Sequence, residues 1–283
     1  MVSPMNSDGS LDLDDAQELA AHLVDNGHDG LVINGTTGES PTTTDAEKVD
    51  LVRVVVEAVG NRAHIVAGAG SNNTAHSVES ARAAAKAGAQ GLLIVTPYYN
   101  KPPQAGVLAH FTSVADATDL PVIVYDIPGR TGTPIHTDTL LRMAEHPRIV
   151  AVKDAKGDLF AASEVMSQTD LQWYSGDDAL NLAHLTQGAV GIISVVGHVA
   201  SRQYAEMIAA VLEGKLARAI EIHRQLIPAV NAIMHITQGA IAVKAALHDQ
   251  GVIDSPAVRL PLIAATTDQL ARLREGLERS GLS

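Results

Sequence analysis

The chain has no cysteine, which removes disulfides, thiolate metal sites and cysteine nucleophiles together. It is also short of positive charge, with 20 Lys and Arg against 32 Asp and Glu, a net charge of −12. That balance argues against a nucleic-acid or anionic-membrane partner, because counterion release needs clustered cations. No apolar run approaches the roughly 18 residues of a membrane span, and the first residues lack the basic start and apolar middle of a signal peptide. The expectation is an acidic cytoplasmic globular protein. No HExxH or HxH spacing occurs among the twelve histidines, so no metal site is expected. There is no P-loop and no G-x-G-x-x-G after a strand, and Gly68-Ala69-Gly70-Ser71-Asn72 is too short for a dinucleotide fingerprint.

What is present is an alternation. Apolar, β-branched runs at Asp29–Thr36, His64–Gly70, Gly91–Tyr99, Pro121–Pro128, Ile149–Ala155, Leu171–Gly176 and Ala189–Val196 read as strands covered on both faces. Amphipathic stretches separate them. Asp45–Val59 follows a Thr44-x-x-Glu47 capping box, and Thr74–Ala87 ends at Gly88. Seven βα repeats are one short of a (β/α)8 barrel. The missing strand should precede the helix Leu13–Asn26, but only Met1–Pro4 remains to supply it, a reach of about 13 Å, which is a stub of a first strand. Either the barrel closes with a truncated strand, or the natural chain begins upstream of Met1, which is the favoured expectation. From 215 the rhythm is helical (Lys215–His235, Ala240–Gln250, Thr267–Arg279), with breaks at Gly239, Gly251 and the Pro256–Pro261 region. The expected division is a barrel over 1–214 and a helical appendage over 215–283.

In such a barrel, chemistry gathers at the C-terminal ends of the strands. Gly35-Thr36-Thr37-Gly38-Glu39-Ser40 offers backbone N–H groups and two hydroxyls to a ligand carboxylate; the plainer reading is a βα turn. Lys153 follows Ile149-Val150-Ala151-Val152 on a sandwiched strand, where desolvation would lower its pKa toward that of a nucleophilic amine. The plainer reading is an ion pair with Asp154 or a strand-end lysine reaching solvent. Three of only five tyrosines, Tyr98, Tyr99 and Tyr125, fall at the ends of two neighbouring strands, which suggests phenols used in proton transfer. Tyr125 shares a face with Ile123 and can point toward Lys153. Arg130, in the loop after the same strand, could fork onto a substrate carboxylate, although a surface arginine is the commoner outcome. Asp177-Asp178 is read as a helix cap in preference to a cation site.

Gly35-Thr36-Thr37-Gly38-Glu39, Tyr98-Tyr99-Asn100-Lys101-Pro102, Tyr125-Asp126-Ile127-Pro128-Gly129-Arg130-Thr131 and Val152-Lys153-Asp154 together resemble the dihydrodipicolinate synthase family. The likeness runs on to Val243-Lys244-Ala245-Ala246-Leu247 and Arg259-Leu260-Pro261-Leu262. The wider superfamily of pyruvate-handling class I aldolases shares the individual motifs, and Arg130 narrows the match to the synthase branch. The resemblance implies that Lys153 forms a Schiff base with pyruvate and that the resulting enamine attacks L-aspartate-4-semialdehyde. It further implies a proton relay of Tyr125, Thr37 and Tyr99, with Tyr99 reaching into a neighbouring subunit's site. The Thr36 and Thr37 amides would hold the pyruvate carboxylate, and Arg130 that of the semialdehyde. Gly176 and Ile193 would make backbone contacts near the Schiff base. No cofactor is implied, and the assembly would be a homotetramer of tight dimers.

Three departures stand out. Asp126 replaces an asparagine common in relatives; alternation points it away from the interior, so little effect on chemistry is expected. The lysine feedback cleft of inhibited relatives resembles a set containing Ser40, Asn72 and Tyr98, but Lys48 and His76 replace a histidine and a glutamate there. Both changes oppose a cationic inhibitor. The stub before Leu13 is the third. Two competing readings are a sister aldolase for a sialic or deoxy-keto acid and a non-catalytic binding paralogue, which intact Lys153, Tyr125 and the threonine turn argue against.

Overall fold

The computed structural model describes residues 1–282. Seven strands form one sheet in sequence order: β1 (Gly30–Ile33), β2 (His64–Gly68), β3 (Gly91–Val95), β4 (Val122–Asp126), β5 (Ile149–Asp154), β6 (Gln172–Ser175) and β7 (Gly191–Ile192). The helices are α1 (Leu13–Asp25), α2 (Asp45–Val59), α3 (Thr74–Lys86), α4 (Gln104–Ala115), α5 (Pro128–Thr131), α6 (Thr137–Met143) and α7 (Leu159–Met166). They continue with α8 (Asn181–Thr186), α9 (Gly197–Leu212), α10 (Leu216–Met234), α11 (Gly239–Asp249) and α12 (Thr267–Arg279). No single helix among the described residues is long and apolar enough to cross a membrane. The chain packs as two compact units, Val66–Ile193 and the remainder on either side of it.

In the Val66–Ile193 unit the strands pair in parallel, and their apolar residues are buried, among them Leu92, Ile94, Val122, Val124, Ile149 and Val152. Each such aliphatic side chain removed from water contributes about 1.5–3 kcal/mol. Between β4 and β5 the register skips Val150, which turns outward, so that Ile123 faces Ala151 and Tyr125 faces Lys153. α3 starts at the Asn73 cap and stops where Gly88 takes φ 98°, a left-handed conformation that glycine adopts without a Cβ clash.

In the other unit the capping box forms as the spacing predicts, with the Thr44 hydroxyl accepting from the Glu47 amide and Glu47 accepting in return from that of Thr44. α1 packs on α2, and α10 on α9 and α12; Leu19 and Leu23 of α1 and Leu51 and Val55 of α2 are buried. The stub before α1 is not a strand. Met1 donates its ammonium to Val32 O of β1 at 2.7 Å, and Val2 N–H donates to His198 Nε2 of α9 at 3.0 Å. Val2, Ser3 and Met5 are buried. Burial holds His198 well below the ordinary histidine pKa, so its neutral ring accepts from Val2.

Two expectations need correction. Gly239 does not interrupt the helices; it is the first residue of α11, and a Cβ there would approach Val195 Cγ1 at 3.2 Å. The strands are also shorter than their apolar windows. β1 ends before Asn34, whose φ of 61° leaves the extended region, and after β7 the chain turns helical at Val196.

Candidate active site

β4 and β5 set the central pair. Because Tyr125 and Lys153 are register partners, both side chains leave the sheet on the same face, and Lys153 Nζ lies over the Tyr125 ring, 4.3 Å from its centroid. Thr96 fixes the Tyr125 backbone by donating to its carbonyl twice, from N–H at 3.0 Å and from Oγ1 at 3.1 Å. Desolvation pulls the Lys153 pKa from 10.5 down to about 8; Arg130 adds to the fall and Asp178 opposes it. The ion pair with Asp154 does not form. The Asp154 carboxylate instead accepts from Lys156 N–H (2.7 Å), Gly157 N–H (3.3 Å) and Trp173 Nε1–H (3.2 Å).

Gly176 is where the chain has no room for a side chain. A Cβ there would stand 2.8 Å from Lys153 Cγ and 2.9 Å from Cε, so the lysine runs across bare backbone. Gly176 N–H donates to Asp154 O at 2.7 Å, and Ile193 N–H donates to Ser175 O at 2.8 Å, which brings both residues to the ends of neighbouring strands. Arg130 sits on the single turn α5, exposed; its N–H donates to Ile127 O at 3.0 Å, and its side chain makes no hydrogen bond or ion pair among the described residues. Tyr99 is 89% exposed at φ 75° on the loop after β3. Asp177 caps the turn that follows it by accepting from Ala179 N–H at 3.0 Å, as its sequence position suggests. This unit therefore brings Lys153, Tyr125 and Gly176 together, puts Arg130 within electrostatic reach, and leaves the Tyr99 phenol in the open.

Thr36 and Thr37 belong to the other unit, in the turn after β1. The Glu39 amide closes that turn onto Thr36 O at 3.1 Å, and Ser3 Oγ donates to Gly38 O at 2.7 Å. Glu39 itself has φ 55° and is buried. Its Oε1 accepts from Lys244 Nζ at 2.6 Å, and its Oε2 from Arg259 N–H at 3.0 Å. Lys244 also donates to Ala257 O at 2.7 Å. The Arg259 guanidinium is shared among Gly9 O, Thr42 O and Glu47, and its hydrogen bond holds the Glu47 carboxyl down at about 2. This support was missed from the sequence. Its signal was a single lysine in α11, where every residue from Gly239 to Leu247 is buried. A cation there must be paired.

The model of the dihydrodipicolinate synthetase family matches residues 1–280. A protein of Kineococcus radiotolerans named 4-hydroxy-tetrahydrodipicolinate synthase is 60% identical over 283 residues, covering 100% of this chain and 92% of that protein. A second of that name, from Streptomyces coelicolor, is 58% identical over 282 residues, covering 100% and 94%. Among solved structures, dihydrodipicolinate synthase from Aquifex aeolicus superposes with TM-score 0.96 at 36% identity, covering 100% of this chain and 96% of the other. The chloride-inhibited Acinetobacter baumannii enzyme complexed with pyruvate gives TM-score 0.96 at 34% identity, covering 100% and 97%. The fold is accordingly the (β/α)8 TIM barrel with a C-terminal helical part.

Proposed function

The chain belongs to the dihydrodipicolinate synthetase family, and from that premise we propose that it condenses pyruvate with L-aspartate-4-semialdehyde to 4-hydroxy-tetrahydrodipicolinate, in lysine and diaminopimelate biosynthesis. It is a lyase of the class I aldolase type. The observation that carries the reading is Lys153. This amine lies over the Tyr125 ring, crosses the bare backbone of Gly176, and has its pKa lowered to about 8.

Neutral Lys153 attacks C2 of pyruvate to give a carbinolamine, and loss of water leaves the protonated Schiff base. The positive nitrogen draws electrons from the methyl group, which gives up a proton to form the enamine. Enamine carbon then attacks the semialdehyde carbonyl carbon, making the new C–C bond and restoring the iminium. The substrate's amine adds to the iminium carbon and displaces Lys153, which closes the ring. Tyr125, Thr37 and Tyr99 carry protons in these steps, with Tyr99 supplied to a neighbouring subunit. Its 89% exposure in this chain suits such a role. The Thr36 and Thr37 amides take the pyruvate carboxylate, and Arg130 that of the semialdehyde. Gly176 and Ile193 line the Schiff base. Since lysine is the covalent catalyst, no cofactor enters the scheme.

The same reading makes the protein a cytoplasmic homotetramer, a dimer of dimers joined around Tyr99, with residues 1–214 as the catalytic barrel and 215–283 as the helical domain. The test is a substrate screen with pyruvate held constant. Turnover with aspartate-4-semialdehyde and none with N-acetylmannosamine or sugar aldehydes is expected. The reverse preference would assign the chain to a sister aldolase.

A further inference from the structure

Among the described residues the Arg130 side chain has no anchor, so the backbone that carries it sets where its guanidinium goes. That backbone leaves β4 after Asp126, makes the single turn α5 and returns through Thr133–His136 to α6. The turn is tied to itself across its tip. Thr131 Oγ1 donates to Ile127 O and to Thr133 O, both at 3.1 Å.

The returning half is gripped by side chains from three other places in the unit. Both oxygens of the Asp126 carboxylate accept from Ile135 N–H, at 3.3 and 3.2 Å, and Lys156 Nζ donates to Ile135 O at 3.3 Å. Gln104, the first residue of α4, donates from Nε2 to Pro134 O at 2.8 Å. Its Oε1 accepts from His136 N–H at 3.0 Å and from Thr139 Oγ1 at 2.8 Å. Proline has no N–H, so four consecutive backbone groups, from Pro134 O to His136 N–H, are each taken by a side chain. Asp126 and Ile135 are buried at 2% and 0% exposure, where an unmet polar group is costly.

We propose that Asp126, Gln104 and Lys156 clamp Pro134–His136 and thereby position Arg130 for the carboxylate of the aldehyde substrate. They are positioning residues for the second half of the reaction and have no part in Schiff-base formation. The proposal rests on the reading of Arg130 given above, and it assigns Asp126 a role that strand alternation alone did not suggest.

The test is steady-state kinetics on the full chain, with borohydride trapping of the pyruvate adduct as a separate readout. Asp126→Ala and Gln104→Ala should each raise KM for aspartate-4-semialdehyde, by roughly tenfold for a lost buried hydrogen bond. The pyruvate adduct should form as in wild type. Asp126→Asn should restore KM, since an amide oxygen still accepts from Ile135 N–H. In an Arg130→Ala background neither alanine substitution should raise KM further. Gln104 is half-exposed, so its variant stands if Asp126→Ala does not fold. An unchanged KM in folded Gln104→Ala overturns the clamp, as does a full effect persisting without Arg130. Wild-type protein that forms no adduct overturns the reading of the site, and the clamp's role with it.

Discussion

Lys244→Met removes one partner of the ion pair beneath the threonine turn. Lys244 and Glu39 have side chains 0% and 1% exposed, with Nζ and Oε1 2.6 Å apart. At an effective dielectric of about 20 the attraction at that distance is about 6 kcal/mol, most of it offset by the desolvation of both charges. Deleting the cation alone leaves that desolvation in place. Among the described residues, the Glu39 carboxylate then keeps only the Arg259 amide as a hydrogen-bond partner. The expected loss is therefore about 3–5 kcal/mol. At roughly 2.1 cal/mol/K of unfolding entropy per residue, a chain of 283 residues loses about 5–8 °C in Tm. Scanning calorimetry on wild type, Lys244→Met, Glu39→Gln and the double variant reads this directly. The double variant should be more stable than Lys244→Met, because a neutral amide is far easier to bury than a lone carboxylate. A Tm loss under about 1 °C for Lys244→Met, or a double variant showing the simple sum of the single losses, would refute the reasoning.

The adduct-forming rate should follow the Lys153 pKa of about 8, rising roughly tenfold between pH 7 and pH 9 and then levelling. A rate still climbing above pH 10 would mean an ordinary lysine. Since the unfolded lysine holds its proton more tightly, this group also adds stability as pH rises from about 8 to its ordinary 10.5. Gly176→Ala forces a Cβ to within 2.8 Å of Lys153 Cγ and should cut kcat at least about tenfold in a folded protein, as near-normal turnover would disprove. Burial raises Asp126 from 3.8 to about 7, so the folded carboxyl binds its proton more tightly and stability falls as pH climbs through that window. Asp126→Asn removes this loss, worth roughly 4 kcal/mol, and its Tm relative to wild type should improve from pH 4 to pH 8; a pH-independent difference would contradict it. Inhibition by L-lysine should be weak or absent because of Lys48 and His76, and half-maximal inhibition below a millimolar would show otherwise.

Much of the architecture was legible because each local signal had one physical solution. The span Asp45–Val59 and its capping box, and the helix Thr267–Arg279, were readable to the residue. Tyr125 and Lys153 were legible for the same reason: period-two alternation puts both on one face, and a one-residue slip would have buried the charge among helices. The reading of Gly239 was displaced because propensity treats glycine as a breaker, whereas the break lies just before it and Gly239 opens α11 where a Cβ would come within 3.2 Å of Val195 Cγ1. The strand ends were beyond sequence reasoning, since apolar residues continue past the last ladder bond into the loops. So were the clamp on Ile135 and the Glu39–Lys244 pair. Glu39 and Lys244 are 205 positions apart, the clamp draws on three separate segments, and only the fold shows which buried carboxylate meets which donor.

The central claim is that Lys153 is a covalent catalyst, and intact mass after borohydride reduction with pyruvate tests it most directly. Wild-type protein should gain the mass of one reduced pyruvate per chain, and folded Lys153→Ala should gain none. A folded wild-type protein that gains no mass, or a Lys153→Ala variant that gains as much, would contradict the account.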